Sequence, residues 1–278
     1  GLDNRVHGAA SLSGGKVTAA GNSNSPVELR GRDFSFDPKT LALAGEAGGA
    51  QHGLSFDDTG RKFLCSNSDH IQTIMYDDRY AARNPYYAMP GPRVSIAVDG
   101  PAAEVYRISP EEAWRVIRTK WRVTGVVPGL IEGGGLSSGY FTSATGITIF
   151  RGNGWPEGNL EDAYIADVGS NLLHRKKLRQ NGVPLLAERP PDELKVEFLA
   201  SPDLWFRPVD LANAPDGTLY LVDMCREIIE HPWSLPESIK KLVDLNSGRD
   251  RGRVYRIVPD GFKQPKLPQL GRASLKEL

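Results

Sequence analysis

The chain has 278 residues, is 40% hydrophobic and 24% charged, and sets 34 Lys and Arg against 34 Asp and Glu, for a formal charge of zero. A chain of this length and apolar content buries a sizeable core, which excludes a disordered tail. Charge balance removes any bulk attraction to nucleic acid or an anionic membrane, and no apolar run approaches the roughly 18 residues that a spanning helix needs.

Thirty glycines and twenty prolines, spread throughout, favour many short strands joined by turns, so the expected class is all-β. Residues 1–33 read as a strand, a Gly/Ser/Asn-rich loop from Ser11 to Ser25, and a return strand at Val27 to Arg30. Residues 34–78 read as one full unit, with strands at Phe34–Phe36, Gly53–Phe56, Lys62–Ser66 and Ile71–Tyr76. A Pro- and Tyr-rich stretch, Asn84 to Pro92, reads as a long ordered loop or a lid. Ser109-Pro110-Glu111-Glu112 has capping-box spacing and predicts a short helix from Pro110. A third unit follows, with strands near Gly139–Phe141, Ile147–Arg151, Ala163–Val168 and Leu172–Leu178. The last unit runs from Trp205 to Val258 and carries a second capping box, Ser234 to Glu237, whose helix would bury Ile239, Leu242 and Val243.

One phrase recurs along this series, at Leu2–His7, Phe56–Leu64 and Ala214–Asp223: Asp, Asn or Gly where a tight turn needs them, then a strand. Such units cannot bury both faces alone, so they are expected to pack around a common axis as a β-propeller with short helical insertions. About four units are legible, which predicts part of a six-bladed ring over residues 1–262 and a linker at 263–278. Cys65 and Cys225 lack any C-x-x-C pattern, which argues against a zinc knuckle or haem c attachment; they read as buried and unpaired, with a disulfide left open.

The phrases Leu29 to Pro38, Asp77-Asp78-Arg79-Tyr80, Ala166 to Lys176, Trp205 to Val209 and Ile229 to Pro236 resemble the propeller domain of the membrane-bound dehydrogenases of planctomycetes and verrucomicrobia. That group is similar, more distantly, to the glucose/sorbosone dehydrogenases, whose better-studied members use pyrroloquinoline quinone (PQQ) and calcium. The resemblance implies oxidation of a sugar or other polyol, a cytochrome-type electron acceptor, haem c only in a separate domain, and export to the periplasm or cell surface. It sets Arg207 at a place where the quinone enzymes keep a cofactor-contacting arginine, while Trp205 and Gly49-Ala50 stand where other cofactor-holding residues would be. The base histidine of the family would fall upstream of Gly1.

Oxidising a sugar hydroxyl needs a base, an electron acceptor and cations to stabilise the reduced acceptor. His52 is the in-chain candidate base or metal ligand. Gln51, Asn171, His174, Arg175 and Arg207 are candidates for the cofactor, and Asn67 and His70 for the substrate. Each has a structural alternative: a salt bridge between units for Arg207, surface strand polarity for the 171–175 cluster, a hydrogen-bonded core group for each histidine. Strand alternation puts His174 and Arg175 on opposite faces, so at most one points inward. Asp57-Asp58 and Asp77-Asp78 serve either calcium or turn capping. Two functions remain in view, a PQQ-dependent sugar dehydrogenase and a non-catalytic carbohydrate-binding or scaffold propeller. A propeller hydrolase with a central metal is a third.

Overall fold

The computed structural model describes residues 3–9, 14–18, 26–81, 83–84, 86–156, 158–264, 266–267, 269–274 and 276. Strand β1 (Val6–Gly8) is followed by a ribbon of β2 (Lys16–Val17) and β3 (Val27–Glu28), then by β4 (Asp33–Phe36) and β5 (Leu43–Glu46), which join β1 in the order β1-β4-β5. The next sheet is an antiparallel meander of β6 (His52–Phe56), β7 (Lys62–Ser66), β8 (Asp69–Ile74) and β9 (Arg93–Ser95), with α1 (Asp78–Ala81) between its last two strands. Helix α2 (Ala113–Val123) leads to the central sheet of β10 (Ala144–Ile149), β11 (Ala163–Asp167), β12 (Leu172–Gln180) and β13 (Leu185–Glu188), and β14 (Leu199–Ala200) pairs with the start of β12. The last sheet is β15 (Pro208–Asn213), β16 (Leu219–Asp223) and β17 (Arg253–Ile257), with α3 (Glu237–Lys240) inserted before β17. The fold is thus mostly β, in several antiparallel sheets, with no closed barrel and no helix long and apolar enough to cross a membrane among the described residues.

The recurring phrase is an Asx turn. Asp57 Oδ1 accepts from the N–H of Thr59 and Arg61 and from Thr59 Oγ1, closing β6 onto β7. Asp216 Oδ1 accepts from Thr218 N and Oγ1 in the same way between β15 and β16. Asp58 pairs instead with Arg151, and Asp78 with Arg32. These acidic pairs serve turns and surface ion pairs in this fold.

The central sheet is apolar on both faces. Ala163 and Ile165 of β11 join Leu172 and Ile147 in one cluster with Phe63, Cys65 and Ile71 of the preceding sheet. Their neighbours Tyr164 and Ala166 join Leu173 and Phe150 in a second cluster with Leu211, Leu219 and Leu221 of the following sheet. Period-two alternation along one strand therefore feeds two separate cores. The first strands β6, β10 and β15 lie side by side. Glycine permits that approach: a Cβ on Gly53 would meet Ile147 N at 2.8 Å, and one on Gly146 would meet Asp210 Cα at 2.7 Å.

Several expectations need correction. Lys16–Val17 forms a strand inside the stretch read as a loop, and residues 11–13 and 19–25 lie outside the described residues. Residues 34–78 are not one unit, because β4 and β5 pair with β1 while the chain changes sheets between β5 and β6. The Pro- and Tyr-rich stretch is followed by a fourth strand, β9, and Tyr140 forms only an isolated bridge with Glu104. Helix α2 starts at Ala113 rather than Pro110, because Glu112 turns its carboxylate to Arg207 and Ser109 Oγ donates to Asn171. Ile239 of α3 is buried and Val243 packs in the same cluster as expected, whereas Leu242, beyond the end of the helix, is exposed. Cys65 and Cys225 are both free and buried.

A polar seam crosses the first core. His70 Nδ1 donates to Pro101 O at 2.7 Å, and His174 Nδ1 lies 2.6 Å from Glu197 Oε2. Both rings are fully buried, edge to face with centroids 5.7 Å apart, and neither Nε2 has a partner. Arg189 and the Tyr106 N–H hold the other oxygen of Glu197, and Lys176 pairs with Asp99 at 2.6 Å. Burial, with the Lys176 charge nearby, pushes His174 well below the usual histidine range; burial and His174 itself bring His70 down to about 3.

Both imidazoles stay neutral in the native state and become protonated in the unfolded chain below its ordinary pKa, so stability is present at pH 7 and is lost as the pH falls from about 6.5. Denaturant titrations at pH 7 and pH 5 should show uptake of about two protons on unfolding from this pair, and His70→Gln should remove about one of them. Equal stability at both pH values would contradict the burial. For the double core, Ile147→Ala should cost about 2–4 kcal/mol in chemical denaturation, whereas Val254→Ala on exposed β17 should cost less than about 0.5 kcal/mol.

Candidate functional site

The starts of β6, β10 and β15 meet, where Cys65 Sγ reaches both His52 O and Thr145 O and Thr145 Oγ1 donates to Pro208 O, and α2 reaches that end through the bond from Arg115 to Thr142 just before β10. Arg115, Arg118 and Arg122 are spaced three and four residues apart, so they occupy one stripe of α2. That stripe faces inward: Arg115 and Arg118 are only 6% and 5% exposed, while Val116, Ile117 and Val123 face solvent. The cause lies beneath the helix. Trp114 packs with Ile228, Leu235 and Ile239, and the guanidinium carbons of Arg115 and Arg118 sit 5.2 and 5.0 Å from its ring centroid.

Under this stripe is a cavity of about 240 Å³, walled by Asn67, Thr142, Ser143, Glu230 and Ser234 and by the three arginines. Arg115 Nη1 donates to Thr142 Oγ1 at 3.2 Å, Arg118 Nη1 to Glu230 Oε2 at 2.7 Å, and Arg122 Nη2 to Ser234 O at 3.0 Å. The Nε of each arginine is buried without a hydrogen-bond partner; Arg115 Nε lies 3.3 Å from Glu112 Oε2 but out of alignment. An unsatisfied buried donor costs about 1–3 kcal/mol, a cost that the fold bears at these positions. Burial resists ionisation of Glu230, but Arg118 and Ser234 hold its carboxyl below the usual range. Behind Thr142, burial pushes Asp167 up to about 6 despite the N–H donors of Gly169 and Ser170, and its Oδ2 has no partner.

The structure divides the sequence-derived candidates into three places. Gln51 and His52 come together with Asn67, which lines the cavity. Gln51 Oε1 accepts from Asn67 N at 3.0 Å, and the His52 imidazole hydrogen-bonds the Asn67 side chain. Partial burial lowers the His52 pKa more than that bond raises it, so the ring is neutral at pH 7 and able to accept a proton. His70 and His174 lie in the interior seam and do not line the cavity.

Arg207, Asn171 and Arg175 are fastened to protein. Arg207 has no exposed surface; its Nη2 donates to Glu112 Oε1 at 2.7 Å, its Nη1 to Val168 O at 3.0 Å and its Nε to Arg226 O at 3.1 Å. Asn171, at φ 58°, accepts from Ser109 Oγ and donates to Phe206 O. Arg175 points to the other face of β12, as alternation requires, and pairs with Glu193 at 2.8 Å. Among the described residues, no group of three or more His, Cys, Asp or Glu side chains converges as a metal site.

The arginine stripe, Glu230 and Asp167 are the features that site reasoning on the sequence missed. The spacing Trp114-Arg115 … Arg118 … Trp121-Arg122 was the available signal for the first. A wider cleft of about 790 Å³ opens at the opposite end of β6, beside Phe56 and Tyr76. Of its lining side chains, His7 pairs with Asp3, Lys62 with Asp33 and Arg151 with Asp58, while Glu46 accepts from Ser35 Oγ.

No curated protein matches the chain. Among solved structures, a luciferin-regenerating enzyme is similar at 13% identity with a TM-score of 0.40, over 96% of this chain and 65% of that one. Two glucose dehydrogenases are similar at 14% and 13% identity with TM-scores of 0.31 and 0.30, each over 79% of this chain and 75% of theirs. The chain thus spans 65% of the length of the luciferin-regenerating enzyme. A family model described as a domain of unknown function, DUF7133, matches residues 1–261, and the chain belongs to that family.

Proposed function

We propose that this chain forms part of a β-propeller and binds one small sugar or polyol in the cavity under α2. The side-by-side placement of β6, β10 and β15, each the first strand of its sheet, supports the radial arrangement. The observation that carries the binding reading is the lining itself: the amide of Asn67 and the hydroxyls of Thr142, Ser143 and Ser234 beside guanidiniums with unused donors. Such mixed donors and acceptors match the hydroxyl-rich surface of a saccharide. A volume of about 240 Å³ takes one ligand of that size.

A second reading is a quinone-dependent sugar dehydrogenase like the membrane-bound enzymes that the sequence resembles, exported and passing electrons to a cytochrome-type acceptor. His52 favours it. A neutral imidazole beside Asn67, itself a lining residue of the cavity, is suited to accept a hydroxyl proton as the substrate carbon is oxidised. PQQ, when bound, would supply the two-electron acceptor. Its carboxylates fit the donors of Arg115, Arg118 and Arg122, whereas the guanidinium of Arg207 is occupied. Calcium needs a cage of oxygen ligands, and the described residues bring no three acidic side chains together.

Calorimetric titration with a panel of monosaccharides and polyols tests the first reading. At least one should bind, and Asn67→Ala and Thr142→Val should each weaken it about tenfold; binding untouched by both variants would move the site elsewhere. Titration with PQQ, followed by dye reduction on the same panel, tests the second. His52→Ala should then lower turnover by about 10²–10⁴, and a protein that binds no PQQ rules that reading out.

A further inference from the structure

Resting on the small-molecule reading of this cavity, we infer that its ligand carries an oxyanion, a carboxylate or a sulfate ester on a sugar-like ring, and that Arg115, Arg118 and Arg122 receive it. Neutral hydroxyls do not call for three guanidiniums. The charged groups lining the cavity are these three cations against two carboxylates, Glu132 and Glu230, which leaves one positive charge in excess.

Two further observations point to the same group. The first is the state of the donors. Arg207, at the same end of the sheets, donates from Nε and both Nη atoms to protein acceptors, whereas the buried Nε of Arg118 and Arg122 has no hydrogen-bond partner and that of Arg115 has only its ion pair with Glu112 at 3.3 Å. Arg115 and Arg118 are each more than nine-tenths buried and are held in place by Thr142, Glu230 and Ser234. They are pre-positioned rather than waving in solvent. The second is a recess of about 20 Å³ that opens between the same three arginines, Glu132, Ser137, Tyr140 and Thr142, where three guanidiniums face one carboxylate. A space of that size holds about one water-sized group, such as an oxygen of a carboxylate or sulfate. Fork-shaped guanidiniums donate to such oxygens in pairs, with charge assistance that no sugar hydroxyl provides.

The test uses the 278-residue chain and four probes: a methyl glucoside, a hexuronate, a hexose sulfate and inorganic sulfate, each titrated at low and high salt. The uronate or the sulfated sugar should bind about tenfold or more tightly than the neutral glucoside, with an advantage that shrinks at high salt. Whichever of the two binds better identifies the source of the oxyanion. Arg122→Gln, on the least buried of the three, should abolish the preference, and Arg122→Lys should restore part of it; melting curves report whether each variant is folded. Should Arg122→Gln fail to fold, the salt dependence of the unaltered chain still decides. Equal, salt-insensitive binding of neutral and acidic sugars would overturn the anionic ligand and leave the sugar site standing. Binding of inorganic sulfate with no saccharide would overturn the sugar site and leave the oxyanion recess. Binding of none of the four overturns both.

Discussion

A sheet that is apolar on both faces must be covered twice, and the rest of this fold answers that constraint. In β11 the alternation of Ala163, Tyr164, Ile165 and Ala166 sends consecutive residues into two different cores. The preceding meander covers one face and the last sheet covers the other. Because hydrophobic burial scales with the apolar area removed from water, neither interface can be given up without exposing a full face of the central sheet. Close approach of the first strands follows, and it is open only because Gly53 and Gly146 carry no side chain at the contact.

The end of that stack is fixed by one buried ion pair. Arg207 precedes β15, Glu112 precedes α2, and their 2.7 Å contact ties helix to sheet with neither group in water. Removing one partner of such a pair leaves an isolated charge in the interior, at a cost of about 3–5 kcal/mol. The carboxylate therefore does not cap its own helix, and the helix begins where the pair permits. The Arg207–Glu112 pair thus helps to set where α2, whose arginines wall the cavity, begins.

Helix α2 reverses the usual amphipathic rule. It turns Arg115 and Arg118 inward and leaves Val116, Ile117 and Val123 outside. Buried guanidiniums are tolerable here because Trp114 lies beneath them and because Glu112, Glu230 and Thr142 share their charge and donors. A surface built this way is expensive in desolvation, and those partners offset part of the cost.

The sequence by itself determined the class and the turns. Asp57 and Asp216 could be read as turn residues because an Asx turn is local, closed within four residues by one carboxylate. Strand alternation likewise separated His174 from Arg175 before any coordinates, since the pleat has period two wherever the strand lies. The grouping of Gln51, His52 and Asn67 was half legible: the residues stood out singly, but their meeting depends on the register of β6 against β7. The long-range partners emerged only with the folded chain. Which sheet β4 and β5 join, that Arg207 spends its donors on the chain, that His70 and His174 sink into one seam, and that an arginine stripe faces inward all depend on contacts across tens of residues. No local pattern encodes them, because burial and pairing are set by what the rest of the chain places opposite each side chain.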